Sequence, residues 1–291
     1  MSNHTVTVSN GTKVPRVAYG TGTAWFKSNA NELDQKLINS VKDAIKAGFV
    51  HIDTAEMYNT EREVGEAIKQ SGIKRDELFL TTKIYKSLQT LEDRFDEQLK
   101  DLQVDFVDLY LIHSPYVNSK KYHGPGGDIK EYWKRMEKLV SSGKTKSIGV
   151  SNFQIEHLKE ILSIATIKPV VNQIEYHPYL LQEDLIKFCN DNDIKIEAYS
   201  PLTPLTDKKG GKVEAVVNEL GEKYSKSPLQ ILLKWSTQKG AVAVTTSSKT
   251  DRLKESVNIA DFELTNEELE KISDAGRGTT IRKYWADDIS N

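Results

Sequence analysis

The sequence predicts a closed (β/α)8 barrel with an N-terminal β-hairpin. Three observations predict it. Short apolar segments alternate with helical repeats along almost the whole chain. Eight of those segments are rich in Val, Ile, Leu and Tyr with little polar alternation, as parallel strands buried on both faces are. Strict strand–helix alternation of that count argues for a closed barrel, and the open doubly wound sheet is the alternative. That alternative normally carries a G-x-G-x-x-G turn before its first helix, and "GTGTAW" at 20–25 lacks the third glycine.

The elements follow in order. "TVTVSNGTKVPRV" sets two alternating runs around Asn10-Gly11, a pair suited to a type I′ hairpin turn. The first barrel strand is "VAYG" at 17–20. Leu33, Leu37, Ile38, Val41, Ala44 and Ile45 keep helical spacing over 32–47, and Gly48 stands as a C-cap. Strand 50–53, helix 61–70, strand 78–83, helix 89–102 and strand 106–113 come next. Helix 128–142 stops at Gly143, ahead of strand 147–152. Helix 154–165 precedes strand 170–175, and helix 181–192 precedes strand 196–201. Helical stretches at 212–224 and 228–238 lead to strand 241–246, and helices at 250–258 and 265–275 finish the regular part. The long loops fall at 114–127, 202–211 and after 276. No Pro/Gly/Ser-rich linker divides the chain, so 1–291 reads as one domain: hairpin about 5–16, barrel about 17–260, C-terminal helix and tail about 261–291.

The 291 residues are 38% hydrophobic and 28% charged, enough apolar material for a large core. Lys+Arg 40 against Asp+Glu 42 leaves a net charge of -2, which argues against nucleic acid or an anionic membrane as the main partner. The N-terminus carries no apolar signal segment, and no apolar run reaches spanning length. The expectation is a cytoplasmic protein, a monomer by default with a dimer left open. The lone cysteine, Cys189, lies on the apolar side of a helical repeat and reads as a small buried hydrophobe rather than a reactive thiol.

The strand ends carry the chemistry. They present Asp53, Lys83, His113, Ser151-Asn152, Gln173 with Glu175, Tyr199-Ser200 and Thr245-Thr246. In a (β/α)8 barrel these ends converge on one mouth, where active sites sit. Taken alone, a histidine or lysine there reads as a satisfied or solvated side chain. An acid, a lysine and a histidine from three successive strands are harder to dismiss. "HIDTAEMYN" adds Tyr58 on the loop after Asp53. Lys83 and His113 exclude little by themselves, but a lysine at this point competes with a metal ion, and no H-x-H pair exists. No metal is expected.

The stretches "GFVHIDTAEMYNTEREVGEAI", "TTK", "DLYLIHSP", "GKTKSIGVSNF", "VVNQIEYHPY" and "AYSPL" resemble the aldo-keto reductases over nearly the full length. "VTTSSKTDRLKES" and the serine after His113 resemble the fungal conjugated polyketone reductase, or NADPH-dependent ketone reductase, branch. The resemblance implies NADPH-dependent reduction of an aldehyde or ketone, such as a conjugated polyketone, α-keto lactone or keto ester. It implies Tyr58 as acid–base residue, Asp53 and Lys83 as its partners, and His113 as the group that orients the carbonyl. A free tyrosine titrates near pH 10, and a Lys⁺ beside it is expected to lower that by about two to three units, about 3–4 kcal/mol. Glu56 reads as a solvated loop acid. The other class compatible with the family is an NADPH-binding regulatory or redox-sensing barrel with little turnover.

The resemblance also assigns the cofactor contacts. Ser151, Asn152 and Gln173 match the residues that bond the nicotinamide carboxamide, and Tyr199 the ring that stacks on it. Asp53, Gly22 and Thr23 complete that end. Ser200 and Leu202 match the loop over the pyrophosphate. Thr246 stands where the family often has lysine, while Ser247, Ser248, Lys249 and Arg252 remain to hold a 2′-phosphate, which favours NADPH over NADH. Glu255 matches an adenine contact. Substrate-facing candidates are Trp25, Met57, Tyr85, His113 and Ser114, with Tyr284 and Trp285 from the tail. Ser114 replaces a tryptophan common among relatives and widens the expected pocket.

Overall fold

In a computed structural model, which describes residues 5–29, 32–120 and 124–289, the chain opens on the expected hairpin. Strand β1 (Thr5–Thr7) pairs antiparallel with β2 (Lys13–Pro15). The turn is not type I′, which needs positive φ at both central residues. Among its residues only Gly11 has it, at φ 86°. The Val8 N–H donates to Thr12 O (3.0 Å) and the Gly11 N–H to Val8 O (2.9 Å), so the loop has three residues and Gly11 supplies the left-handed one. Asn10 is used otherwise. Its Oδ1 accepts from the Thr12 N–H (3.1 Å), and its Nδ2 donates to Ser147 Oγ (2.9 Å), tying the hairpin to the barrel.

Strands β3 (Val17–Gly20), β4 (His51–Asp53), β5 (Phe79–Ile84), β6 (Val107–Ile112), β7 (Thr145–Ser151), β8 (Val171–Glu175), β9 (Lys195–Tyr199) and β10 (Val242–Thr245) form a closed parallel barrel. It closes where β10 pairs with both β9 and β3. Around it run α1 (Gln35–Ala47), α2 (Glu61–Ser71), α3 (Leu91–Leu102), α4 (Ile129–Ser141), α5 (Ile155–Leu162), α6 (Glu183–Asp191), α7 (Thr203–Thr206), α8 (Lys212–Tyr224), α9 (Pro228–Gln238), α10 (Thr250–Val257) and α11 (Asn266–Gly276). The turn α7 departs from the sequence reading, which left 202–211 as loop; Pro204 suits its first turn, where no N–H is needed. Among the described residues no helix is long and apolar enough to cross a membrane.

Local rules account for the helices. In α1 the Asp34 carboxylate accepts from the Lys36 and Leu37 N–H groups, and Gly48 (φ 109°) ends the helix. Its Leu37, Ile38, Val41 and Ala44 are buried. Among the described residues four apolar clusters result, two of them the larger. One lies between barrel and helices and includes Trp133 and Trp235. The other closes the barrel's N-terminal end, where Val8 and Val14 of the hairpin meet Phe79, Leu109, Leu111, Val171 and Val242. Asp53, Lys83, Gln173 and Glu197 form a linked polar group towards the opposite mouth.

Candidate active site

Asp53 ends β4, and the chain then makes a single 3-10 turn, Glu56–Tyr58, closed by Asn59 at φ 56°. That turn carries Tyr58 over the mouth. Its Oη lies 3.3 Å from His113 Nε2 and 3.5 Å from Lys83 Nζ. Lys83 is fully buried and donates to Asp53 Oδ1 (2.6 Å) and to the Thr54 carbonyl (2.9 Å). The Tyr58 and His113 rings meet edge to face, centroids 5.3 Å apart. Gly22 makes room for the phenol: a Cβ there would sit 2.9 Å from Tyr58 Cζ. The structure therefore brings Asp53, Tyr58, Lys83 and His113 into one contact chain.

The electrostatics follow from burial. Burial works against the Lys83 charge, but Asp53 and Tyr58 outweigh it, and its pKa is raised. Burial raises the Tyr58 phenol; Lys83 pulls it down, Asp53 pushes it back up, and the net shift is upward. This corrects the expected lowering: burial outweighs the pull of Lys83, whose nearest partner is the Asp53 carboxylate. Tyr58 thus keeps its proton at neutral pH. Burial first, then Lys83, holds His113 well below the usual histidine range, so the ring is neutral. Among the described residues its buried Nδ1 has no partner, and its Nε2 faces Tyr58.

Glu56 is not a solvated loop acid. It is buried and accepts from the Tyr85 and Lys86 N–H groups (2.9 Å each) and from Ser87 Oγ. Arg94 on α3 stands 3.7 Å from Glu56 Oε1 and bonds Glu61 at 3.0 Å. The turn bearing Tyr58 is thereby fastened to the loop after β5. Sequence reading missed this because Arg94 is distant in the chain and its helical repeat says nothing of its partner.

A second set of bonds lies beside the tetrad. Asn152, at φ 63°, donates to His113 O (2.9 Å) and Ser151 Oγ (3.1 Å), and accepts from Tyr199 Oη (2.7 Å). Ser151 is buried and donates to Gln173 O (2.8 Å). Gln173 Nε2 donates to Asp53 Oδ2 and to Glu197 Oε2, both at 2.8 Å. Burial, then Asp53, pushes the Glu197 carboxyl up to about 7. Nothing in the sequence marked Glu197 as more than a strand residue.

A cavity of about 580 Å³ opens over Tyr58 and His113. Gly22, Thr23, Met57, Asn152, Gln173, Tyr199, Ser200, Leu202 and Thr246 line it, as does Asp53. Trp25 does not: its Nε1 donates to Thr246 Oγ1 (3.3 Å), and Phe26, 55% exposed, takes the lining position. Tyr85 is buried behind the wall, bonded to Tyr116 O (2.6 Å) and edge-on to Trp285. Ser114 is buried, its Oγ accepting from the Tyr116 N–H (3.2 Å). The tail also lines the cavity through Lys283, Tyr284 and Trp285. Glu175 fastens it, accepting from the Lys283 (2.9 Å) and Tyr284 (3.2 Å) N–H groups, and Lys283 Nζ bonds Asp207 (3.0 Å).

Farther out, the loop 246–249 leads into α10. Ser247 Oγ accepts from the Lys249 N–H (3.0 Å), and the Ser247 carbonyl accepts from Ser40 Oγ (3.3 Å). Ser248, Lys249 and Arg252 are exposed, and among the described residues α10 has no side-chain N-cap. Among the described residues neither Lys249 nor Arg252 forms an ion pair. Glu255 accepts from Ser227 Oγ (2.9 Å).

Residues 16–277 match the family model described as the aldo/keto reductase family. The chain belongs to the aldo/keto reductase family. It is an oxidoreductase of that family, with the family's closed barrel. It is 43% identical over 294 residues to an NADPH-dependent alpha-keto amide reductase of Saccharomyces cerevisiae, covering 96% of this chain and 93% of the relative. It is 41% identical over 268 residues to an NAD/NADP-dependent indole-3-acetaldehyde reductase of Schizosaccharomyces pombe, covering 91% and 93%. A crystal structure of a Bombyx mori aldo-keto reductase in complex with NADP superposes with a TM-score of 0.87 at 32% identity, covering 97% of this chain and 96% of that one.

Proposed function

We propose that the protein reduces aldehyde and ketone carbonyls to alcohols, with NADPH as the reductant. One observation carries the reading: a protonated phenol, Tyr58, lies under an open cavity between the ammonium of Lys83 and the imidazole of His113. The residues present fit the cofactor. An amide side chain (Gln173) and an aromatic ring (Tyr199) line the cavity near Tyr58. Lys249 and Arg252, which have no ion-pair partner among the described residues, flank a helix N-terminus that has no side-chain cap there, a setting for a phosphate. When bound, NADPH supplies the hydride.

The rest falls to the chain. Neutral His113, protonated on Nε2, donates a hydrogen bond to the substrate oxygen and fixes its place beside the phenol. Tyr58 gives its proton to that oxygen as negative charge develops, a role worth about 10²–10⁴ in rate. Lys83 stabilises the phenolate left behind, and Asp53 holds Lys83 in position. Met57, Phe26 and Trp285 give the cavity an apolar wall. The alpha-keto amide reductase among its relatives supports a 1,2-dicarbonyl as substrate class. A cytosolic monomer completes the proposal.

The test follows absorbance at 340 nm with NADPH and a panel of glyoxal, an α-keto amide, an α-keto ester and a simple ketone. Oxidation fastest with the dicarbonyls supports the proposal. Tight NADPH binding with no oxidation by any carbonyl refutes it and favours a regulatory barrel.

A further inference from the structure

We infer that Glu197 is the positioning residue that sets the orientation of the Gln173 amide, and through it the reading of the nicotinamide carboxamide. The inference rests on the cofactor reading above. Glu197 is fully buried in the middle of β9, away from the cavity lining, and paired in register with Gln173. Its Oε2 takes one N–H of Gln173 at 2.8 Å, while Asp53 Oδ2 takes the other at 2.8 Å. A primary amide has two N–H donors on nitrogen and acceptors only on oxygen. Both donors are therefore engaged inside the barrel, and the carbonyl Oε1 is what Gln173 offers elsewhere. Turning the amide over would set its oxygen against two carboxylates. Gln173 lines the cavity at the mouth. An outward carbonyl there accepts from an N–H₂ group and rejects a group lacking one. Asp53 takes one N–H and uses its other oxygen for Lys83, so Glu197 is the acceptor that engages the second N–H. The second oxygen of Glu197, Oε1, is buried without a partner, so the carboxylate has no structural bond to the rest of the core besides Gln173 among the described residues.

The test compares binding of NADP⁺ with that of its 3-acetylpyridine analogue, whose methyl ketone keeps the carbonyl and lacks the N–H₂, at pH 8. Glu197→Met should weaken NADP⁺ at least about fivefold and leave the analogue within about twofold. Glu197→Gln, which still offers an acceptor, should bind both like the wild type. Glu197→Asp retains the charge in a shorter side chain, and should show part of the same selective loss if the Met variant does not fold. Binding of 2′-phospho-ADP-ribose, which lacks the nicotinamide, reports that each variant is folded. Equal weakening of NADP⁺ and analogue in the Met and Asp variants, or no weakening of either, overturns the inference. A wild type that binds NADP⁺ and the analogue equally overturns it at the Gln173 contact. A wild type that binds neither fails earlier, at the proposed function.

Discussion

Glu56→Ala tests whether the turn bearing Tyr58 is held as the structure implies. The substitution removes the acceptor of the buried Tyr85 N–H and of the half-buried Lys86 N–H. A buried donor left unsatisfied costs about 1–3 kcal/mol. The Ser87 hydroxyl can rotate to another acceptor, and Arg94 keeps Glu61, Glu97 and Asp101, so neither adds much. Water entering the space left by the side chain offsets part of the loss. The expected destabilisation is about 2–4 kcal/mol, read as a shift in urea midpoint with an unchanged slope. Tyr58 lies on the same turn, so kcat should fall at least about tenfold while NADPH affinity holds, since small misplacements of a reacting group are severe. Unchanged turnover with stability within about 0.5 kcal/mol of wild type, the range of ordinary surface changes, would refute the argument and return Glu56 to a loop acid.

Three further outcomes are expected. Arg252→Ala should weaken NADPH about tenfold, about 1.4 kcal/mol, and leave NADH almost unchanged, measured as KM for each; equal effects on both would remove Arg252 from the phosphate site. The Glu197 carboxyl, raised from 4.5 to about 7, stays protonated in the folded chain where the unfolded chain has ionised, so its contribution is complete below about pH 4.5 and is lost as pH rises through about 7. Glu197→Gln removes that dependence, so its unfolding free energy should gain on the wild type between pH 5 and pH 8 by on the order of 3 kcal/mol; a constant difference would contradict the assignment. Burial pushes the Cys189 thiol up to about 11, so a disulfide reagent such as Ellman's should label it only in urea, and rapid labelling of the native protein would contradict its burial.

The barrel was legible because its signals are local. Strand composition, the spacing of Leu37, Ile38, Val41 and Ala44, and glycines such as Gly48 each report on a few neighbouring residues. The convergence of Asp53, Lys83 and His113 followed once the barrel was recognised, since strand ends must share a mouth. What escaped depends on partners far apart in the chain. Glu56 looked solvated because its neighbours in sequence are polar, while Arg94 and the loop after β5 bury it. The Asn10-Gly11 turn took a three-residue form because Asn10 is held by Thr12 and Ser147. Trp25 turned to Thr246 and left the cavity to Phe26, a choice that no periodicity encodes. The tail reached the mouth through Glu175, and Glu197 gained its meaning only from the register with Gln173.

Tyr58→Phe asks whether Tyr58 delivers the proton. The ring and its contact with His113 remain while the hydroxyl is lost. NADPH affinity, followed by quenching of protein fluorescence, should stay within about twofold, and kcat with a 1,2-dicarbonyl should fall by at least about 10³. Turnover retained within about tenfold at unchanged NADPH affinity would show that the proton comes from elsewhere and would contradict the account.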